Sequence, residues 1–234
     1  MQASLELRRT LSRRVSQILS RPGVEPPPGG PVPTGWEGIE LARGGVHEWI
    51  GVSAASPPYA LLAHLAWQAL AEREGRVLWI GRGIFPYPRT LVRDFELRLR
   101  AGELTLARLP RALRPADPAR LLERSLHVDV ERPAVRLWAL DAALRCPAVT
   151  AVVGDASGLD MAATRRLQLA AEAGRGLALL ARPPREERQL SAAATRWRVR
   201  RAPAGRSAGG NEPHPSWELS LLRKKSVLCP ATSH

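Results

Sequence analysis

The chain has 234 residues, 44% of them hydrophobic, enough for one substantial α/β core with terminal extensions to spare. A formal net charge of +13 favours nucleic acid or acidic partners, but Lys occurs only at Lys224 and Lys225. So arginine-heavy and alanine-rich a composition is also what a GC-rich genome yields, so a DNA-contacting face and a merely solvated basic surface both stay open.

No stretch reaches the ~20 apolar residues of a membrane span, and the Arg-rich start is unlike a signal peptide. Cys146 and Cys229 lie far apart and form no disulfide framework. The expectation is a soluble, cytoplasmic protein with reduced thiols and no membrane contact.

Leu7, Leu11, Val15 and Ile18 recur at helical spacing, with Arg8, Arg9, Arg13 and Arg14 mostly off that stripe, which predicts an amphipathic helix over residues 1–21. Residues 22–33 are rich in Pro and Gly, sustain neither helix nor sheet, and set that helix apart as a semi-rigid linker would. The apolar stripe then needs a partner, either its own domain or another molecule.

Over residues 34–225, strand-like and helix-like segments alternate in the manner of a mostly parallel twisted sheet flanked by crossover helices. A strand at Val46–Ile50 precedes a helix at Tyr59–Arg73 with Leu61, Leu62, Leu65 and Leu70 inward. A buried strand at Arg76–Ile80 is followed by a helix at Thr90–Arg100, ended by Gly102, and by a third strand at Leu104–Leu109. A helix at Ala134–Arg145 leads to a strand at Val149–Val153 that carries Asp155 just past its end. Asp160 caps a helix to about Ala173, and Gly176–Ala181 is a fifth strand. Arg196–Arg201 and Trp217–Leu222, joined by a Gly- and Pro-rich loop, predict an antiparallel C-terminal strand pair closing the sheet, with residues 226–234 a flexible tail.

In nucleotide-binding α/β proteins the loop after the first strand wraps phosphates with backbone N–H groups, a Lys adds charge, and a Ser or Thr holds magnesium. Set against G-x-x-x-x-G-K-[ST], Gly51 fits the first glycine, while Ser56 replaces the second, Pro57 the lysine and Pro58 the hydroxyl residue. Proline brings neither N–H nor charge, though a prolyl pair suits a helix start, where N–H groups are free anyway. The loop keeps its fold and loses its ligand. Asp155 stands where a magnesium-shell carboxylate would, and without the phosphate loop a structural role is the favoured reading. The five histidines show no metal-ligand spacing, and His64, on a core helix, reads as a packed and satisfied side chain. Ser53 and Ser56 lack a nucleophile-elbow context. The expectation is no enzyme, no cofactor and no metal.

Pro33-Thr34-Gly35-Trp36-Glu37-Gly38-Ile39, followed by Gly44-Gly45-Val46-His47-Glu48-Trp49-Ile50-Gly51, resembles the opening of the RecA core. Gly176–Leu180, Ala192–Arg201 and Leu219–Lys225 resemble its closing strands in the same order. Arg76–Ile80 with Pro86-Tyr87-Pro88, Arg136–Arg145 and Arg165–Gly174 are most similar to the mutasome ImuA family and the related SulA-like proteins. The resemblance implies an accessory role in DNA-damage-induced mutagenic translesion synthesis, within the SOS response. The implied partners are ImuB, an inactive Y-family polymerase homologue, and an error-prone relative of the replicative polymerase α subunit. It also implies that Leu7, Leu11, Val15 and Ile18 serve self-association or docking. The two regions that would bind DNA in RecA shrink here to Ala156–Leu159 and to Arg182–Ser191, the second carrying Glu186 and Glu187.

Other readings compete. A single-stranded DNA-binding module would use Arg196, Arg198, Arg200, Arg201, Arg223, Lys224 and Lys225, with Arg196, Arg198 and Arg200 lining one strand face. A SulA-like cell division inhibitor would bind the division GTPase, and a true ATPase would require an unconventional phosphate site.

Overall fold

Four central strands are buried on both faces and mostly apolar, as strands covered on each side tend to be. They are β3 (Val46–Gly51), β4 (Arg76–Ile80), β8 (Val149–Asp155) and β9 (Leu177–Arg182), in a computed structural model that describes residues 30–34, 39–52, 58–85, 96–101, 103–108, 118–206 and 213–225. The remaining strands are β1 (Val32–Pro33), β2 (Glu40–Leu41), β5 (Glu96–Ala101), β6 (Glu103–Arg108), β7 (Ser125–Val128), β10 (Thr195–Arg206) and β11 (Pro213–Lys224). Among the described residues four helices join them: α1 (Tyr59–Glu72), α2 (Pro118–Glu123), α3 (Pro133–Leu144) and α4 (Met161–Gly174).

The nine-stranded sheet runs β6-β5-β11-β10-β3-β9-β8-β4-β7, and only β5–β6 and β10–β11 pair antiparallel. Parallel neighbours need crossovers, which α1, α3 and α4 supply. One side chain set of each strand, including Trp49, Val77, Trp79, Val153 and Leu179, packs on Leu61, Leu62 and Leu65 of α1. The alternate set, including Leu78, Ile80, Val152 and Leu180, packs on Leu140 and Leu144 of α3 and Leu167 of α4. The result is three layers, with β3 central and joined to β10 by a Trp49–Trp197 stack with ring centroids 5.6 Å apart.

Helix α4 begins where the Asp160 carboxylate accepts from the Ala163 N–H at 2.8 Å. It ends so close to α3 that a Cβ on Gly174 would lie 2.0 Å from the Leu144 carbonyl oxygen. Only glycine fits there.

Most elements fall where periodicity placed them, with three differences. Residues 96–101 are a strand and not the end of a helix, because Leu97 and Leu99 alternate with Arg98 and Arg100, a period of two that helix-favouring Leu and Arg disguise. The strand at 103–108 pairs back on β5 as a hairpin, and the third parallel strand is instead Ser125–Val128, beside β4. That hairpin adds to β11, so the C-terminal pair does not close the sheet.

Val32, counted at the sequence level as linker, is fully buried in the core, and β1 pairs with β2. The N-terminal helix with Leu7, Leu11, Val15 and Ile18, linker residues 22–29 and the tail lie outside the described residues. Among the described residues no helix is long and apolar enough to cross a membrane.

Candidate functional site

Ligands of open α/β sheets bind at the carboxyl ends of the strands, where neighbouring strands send their chains in opposite directions. Here that point lies between β3, which leads to β4 on one side, and β9, which leads to β10 on the other. Gly51 ends β3, and the Val52 N–H is taken by the Val199 carbonyl at 3.2 Å. Ser56 and Pro57 lie outside the described residues. Pro58 is buried and occupies the N-cap of α1 without a side-chain cap, its carbonyl accepting from the Leu62 N–H at 3.0 Å. The Tyr59 phenol that follows is pushed well up by burial and by the nearby Asp155 carboxylate, with the Arg136 guanidinium acting the other way.

Asp155 is the last residue of β8. Its Oδ2 pairs with buried Arg136 at 2.9 Å and accepts from the Ser157 hydroxyl at 3.0 Å, while Oδ1 accepts from the Ser157 N–H at 2.8 Å. Arg136 also donates to the Ser157 and Glu131 carbonyls, leaving its Nε buried without a partner. Both Asp155 oxygens are thus held by the protein itself.

Beside this cluster lies a charge network whose centre, Glu48 and Arg182, was no candidate site in the sequence, although Arg196 was one. Glu48 and Arg182 are each fully buried and pair at 2.8 Å, and Glu48 also accepts from Arg196 at 2.7 Å and from the Ser191 hydroxyl at 2.8 Å. Arg182 bonds Glu186 twice, at 3.0 and 2.9 Å, and reaches the Leu159 carbonyl at 2.6 Å and the Gln189 amide at 3.0 Å. Glu186 accepts in turn from the Gly158 N–H at 2.9 Å. Arg196 closes the network by donating to the carbonyls of Glu186, Glu187 and Gln189. Two carboxylates and two guanidiniums balance, and each finds further hydrogen bonds, the condition under which buried charge is tolerable. The network pins both short loops, 156–159 and 183–191, to the sheet. A charged residue inside the apolar run Val46–Gly51 was the available signal for Glu48.

The basic strand residues do not form one face. Arg196, expected to line a solvent side, is 7% exposed and locked in the network, because the 183–191 segment folds over that end of β10. Arg198 forms an ion pair with Glu187, which holds that carboxyl below its ordinary range, and Arg223 donates to the Ser191 and Ala193 carbonyls. Arg200 and Arg201 are exposed, as are Lys224 and Lys225, but Lys224 lies opposite Thr195 while Arg201 lies opposite Trp217. These two pairs are therefore separated along the strand by roughly 15–20 Å.

Among the described residues no three His, Cys, Asp or Glu side chains are grouped to hold a metal ion. Buried His47 donates from Nε2 to the Ala42 carbonyl at 3.0 Å, a tautomer that leaves Nδ1 to accept from the Thr195 hydroxyl at 2.8 Å. Thr195 accepts in turn from the Trp197 indole at 2.8 Å. His64 is buried beside Gln68 at 3.4 Å, and burial lowers both histidines to about 4. Cys146 is a buried free thiol. No family model matches the chain, and no curated protein matches it.

Proposed function

We propose that this chain is a non-catalytic, RecA-like accessory protein of the ImuA type, acting in DNA-damage-induced translesion synthesis by binding other proteins. Its partners on this reading are an ImuB-like inactive Y-family polymerase homologue and an error-prone polymerase α-subunit relative. The observation that carries the reading is the start of α1. Pro57 and Pro58 stand where a phosphate loop would supply a lysine and amide hydrogens, and Pro58 is buried at the helix N-cap. Support comes also from Asp155, whose two oxygens already have protein partners, and from the pinning of both short loops by buried ion pairs.

Calorimetry with Mg-ATP tests the absence of a nucleotide site, and micromolar affinity would reject the reading. Co-purification with the two polymerase-like proteins, with and without residues 1–30, tests the partnership. Retention by the full chain and its loss on truncation is the expected result, with Leu7, Leu11, Val15 and Ile18 as the docking stripe.

A further inference from the structure

By composition the segment Pro183–Leu190 looks electrically neutral, with Arg185 and Arg188 offset by Glu186 and Glu187. Folding separates the two signs. Glu186 is 3% exposed and spent on Arg182 and the Gly158 N–H, and Glu187 is spent on Arg198. Facing outward are Arg185, whose side chain is 73% exposed and reaches Glu186 only at 3.9 Å, Arg188, and Leu190, which at 77% is more exposed than the other large apolar residues whose exposure is described. Arg200, exposed two residues beyond Arg198 on the same strand side, borders this face but lies opposite Glu218 on β11, so Arg185 and Arg188 are its principal charges.

The backbone beneath this face is fixed. A 3-10 turn at Pro184–Glu186 and three donations from Arg196 to the carbonyls of Glu186, Glu187 and Gln189 hold it. A surface ordered in advance loses little freedom on binding.

We infer that the outward face of residues 185–190 is a docking site for an acidic protein segment with apolar side chains, its carboxylates meeting Arg185 and Arg188 and its apolar side chains covering Leu190. This rests on the protein-binding reading above and names the chemistry of one partner surface. A single-stranded nucleic acid fits less well, because the segment offers no aromatic side chain for a base to stack on and a protruding leucine gains nothing from phosphate.

The test uses the full chain and a fluorescein-labelled synthetic peptide of roughly fifteen residues with glutamates flanking leucines at helical spacing. Wild-type protein binds it saturably. The double variant Arg185→Glu/Arg188→Glu weakens binding roughly tenfold or more, and Leu190→Ser does so about fivefold. Leu190→Ser unfolds at the wild-type temperature, whereas the double variant gives up the 3.9 Å Arg185–Glu186 pair and unfolds slightly lower while staying folded. Absence of saturable binding, or equal affinity in wild type and variants, overturns the proposal. So does an oligothymidylate that binds more tightly than the peptide through the same residues. Nucleotide binding would sink the adaptor reading and leave these titrations unmoved, so the two failures are distinguishable.

Discussion

Glu48 and Asp141 each gather two arginines, but the two clusters differ in the depth of those arginines and in a second carboxylate, Glu186, that only the Glu48 cluster holds. Around Glu48, Arg182 is fully buried and Arg196 nearly so. Around Asp141, itself buried on α3, the side chains of Arg145 and of Arg166 from α4 are about half exposed, at 51% and 49%. In the first cluster a removed partner leaves charge in a low dielectric; in the second, water reaches both arginines and compensates them when the carboxylate is lost. Two arginines on one carboxylate therefore take part in fixing loop structure in the first cluster and tie α3 to α4 near the surface in the second.

The sharpest way to break this comparison is Glu48→Ala. Denaturant unfolding should show a loss of about 3–5 kcal/mol, because buried Arg196 loses the carboxylate it pairs with and Arg182 keeps only Glu186 of its two. Hydrogen exchange at Gly158 and Gln189 should rise with it; protection unchanged at both would mean that the loops are held by something else.

The next effect is acid sensitivity unrelated to either carboxylate. His47 and His64 sit at about 4 in the fold, below the unfolded value of ~6.5, so their neutral forms stabilise fully above pH 6.5. That contribution is lost as pH falls from 6.5 toward 4, by up to about 3 kcal/mol for each histidine. A stability-against-pH profile that stays flat across that window would contradict the burial, and the two clusters are best compared above it.

Arg136→Ala occupies the middle ground, since Asp155 keeps its bonds from Ser157. A loss of roughly 1–3 kcal/mol is expected from thermal and denaturant unfolding. Asp141→Asn should cost no more than about 1 kcal/mol, and that difference should shrink in high salt. Burial pushes the Asp141 carboxyl up, but hydrogen bonds from Arg166 and Arg145 outweigh it and hold it below its ordinary value. Its contribution is thus present at neutral pH, persists above the unfolded carboxylate pKa and fades only as pH drops through the lower folded one.

The sequence disclosed the elements whose periodicity was undiluted. Val77-Leu78-Trp79-Ile80 and the run Val149–Val153 announce buried strands, and Asp160 announces the start of α4. It concealed β5, where Glu, Leu and Arg favour helix while their alternation favours strand, and it concealed β7, whose four residues are too few for a pattern. The carboxyl-edge loops were placed correctly by spacing, but their chemistry was not. Glu186 and Glu187 count as acidic loop residues in a linear reading, yet both turn inward to arginines. Glu48 meets Arg182 from 134 positions away and Arg196 from 148, and no local rule connects residues so distant.

The placement of β3 between β9 and β10 carries a temporal consequence. During synthesis Trp49 emerges long before either neighbour exists, since His47 pairs with Thr195 and Val46 with Ala178. At ribosomal speeds of about 5–20 residues per second, that strand waits roughly 6–30 s for its neighbours with unpaired amides. The interval is an opening for chaperones and for misassociation, and it makes the growing chain most vulnerable just before its last strands arrive.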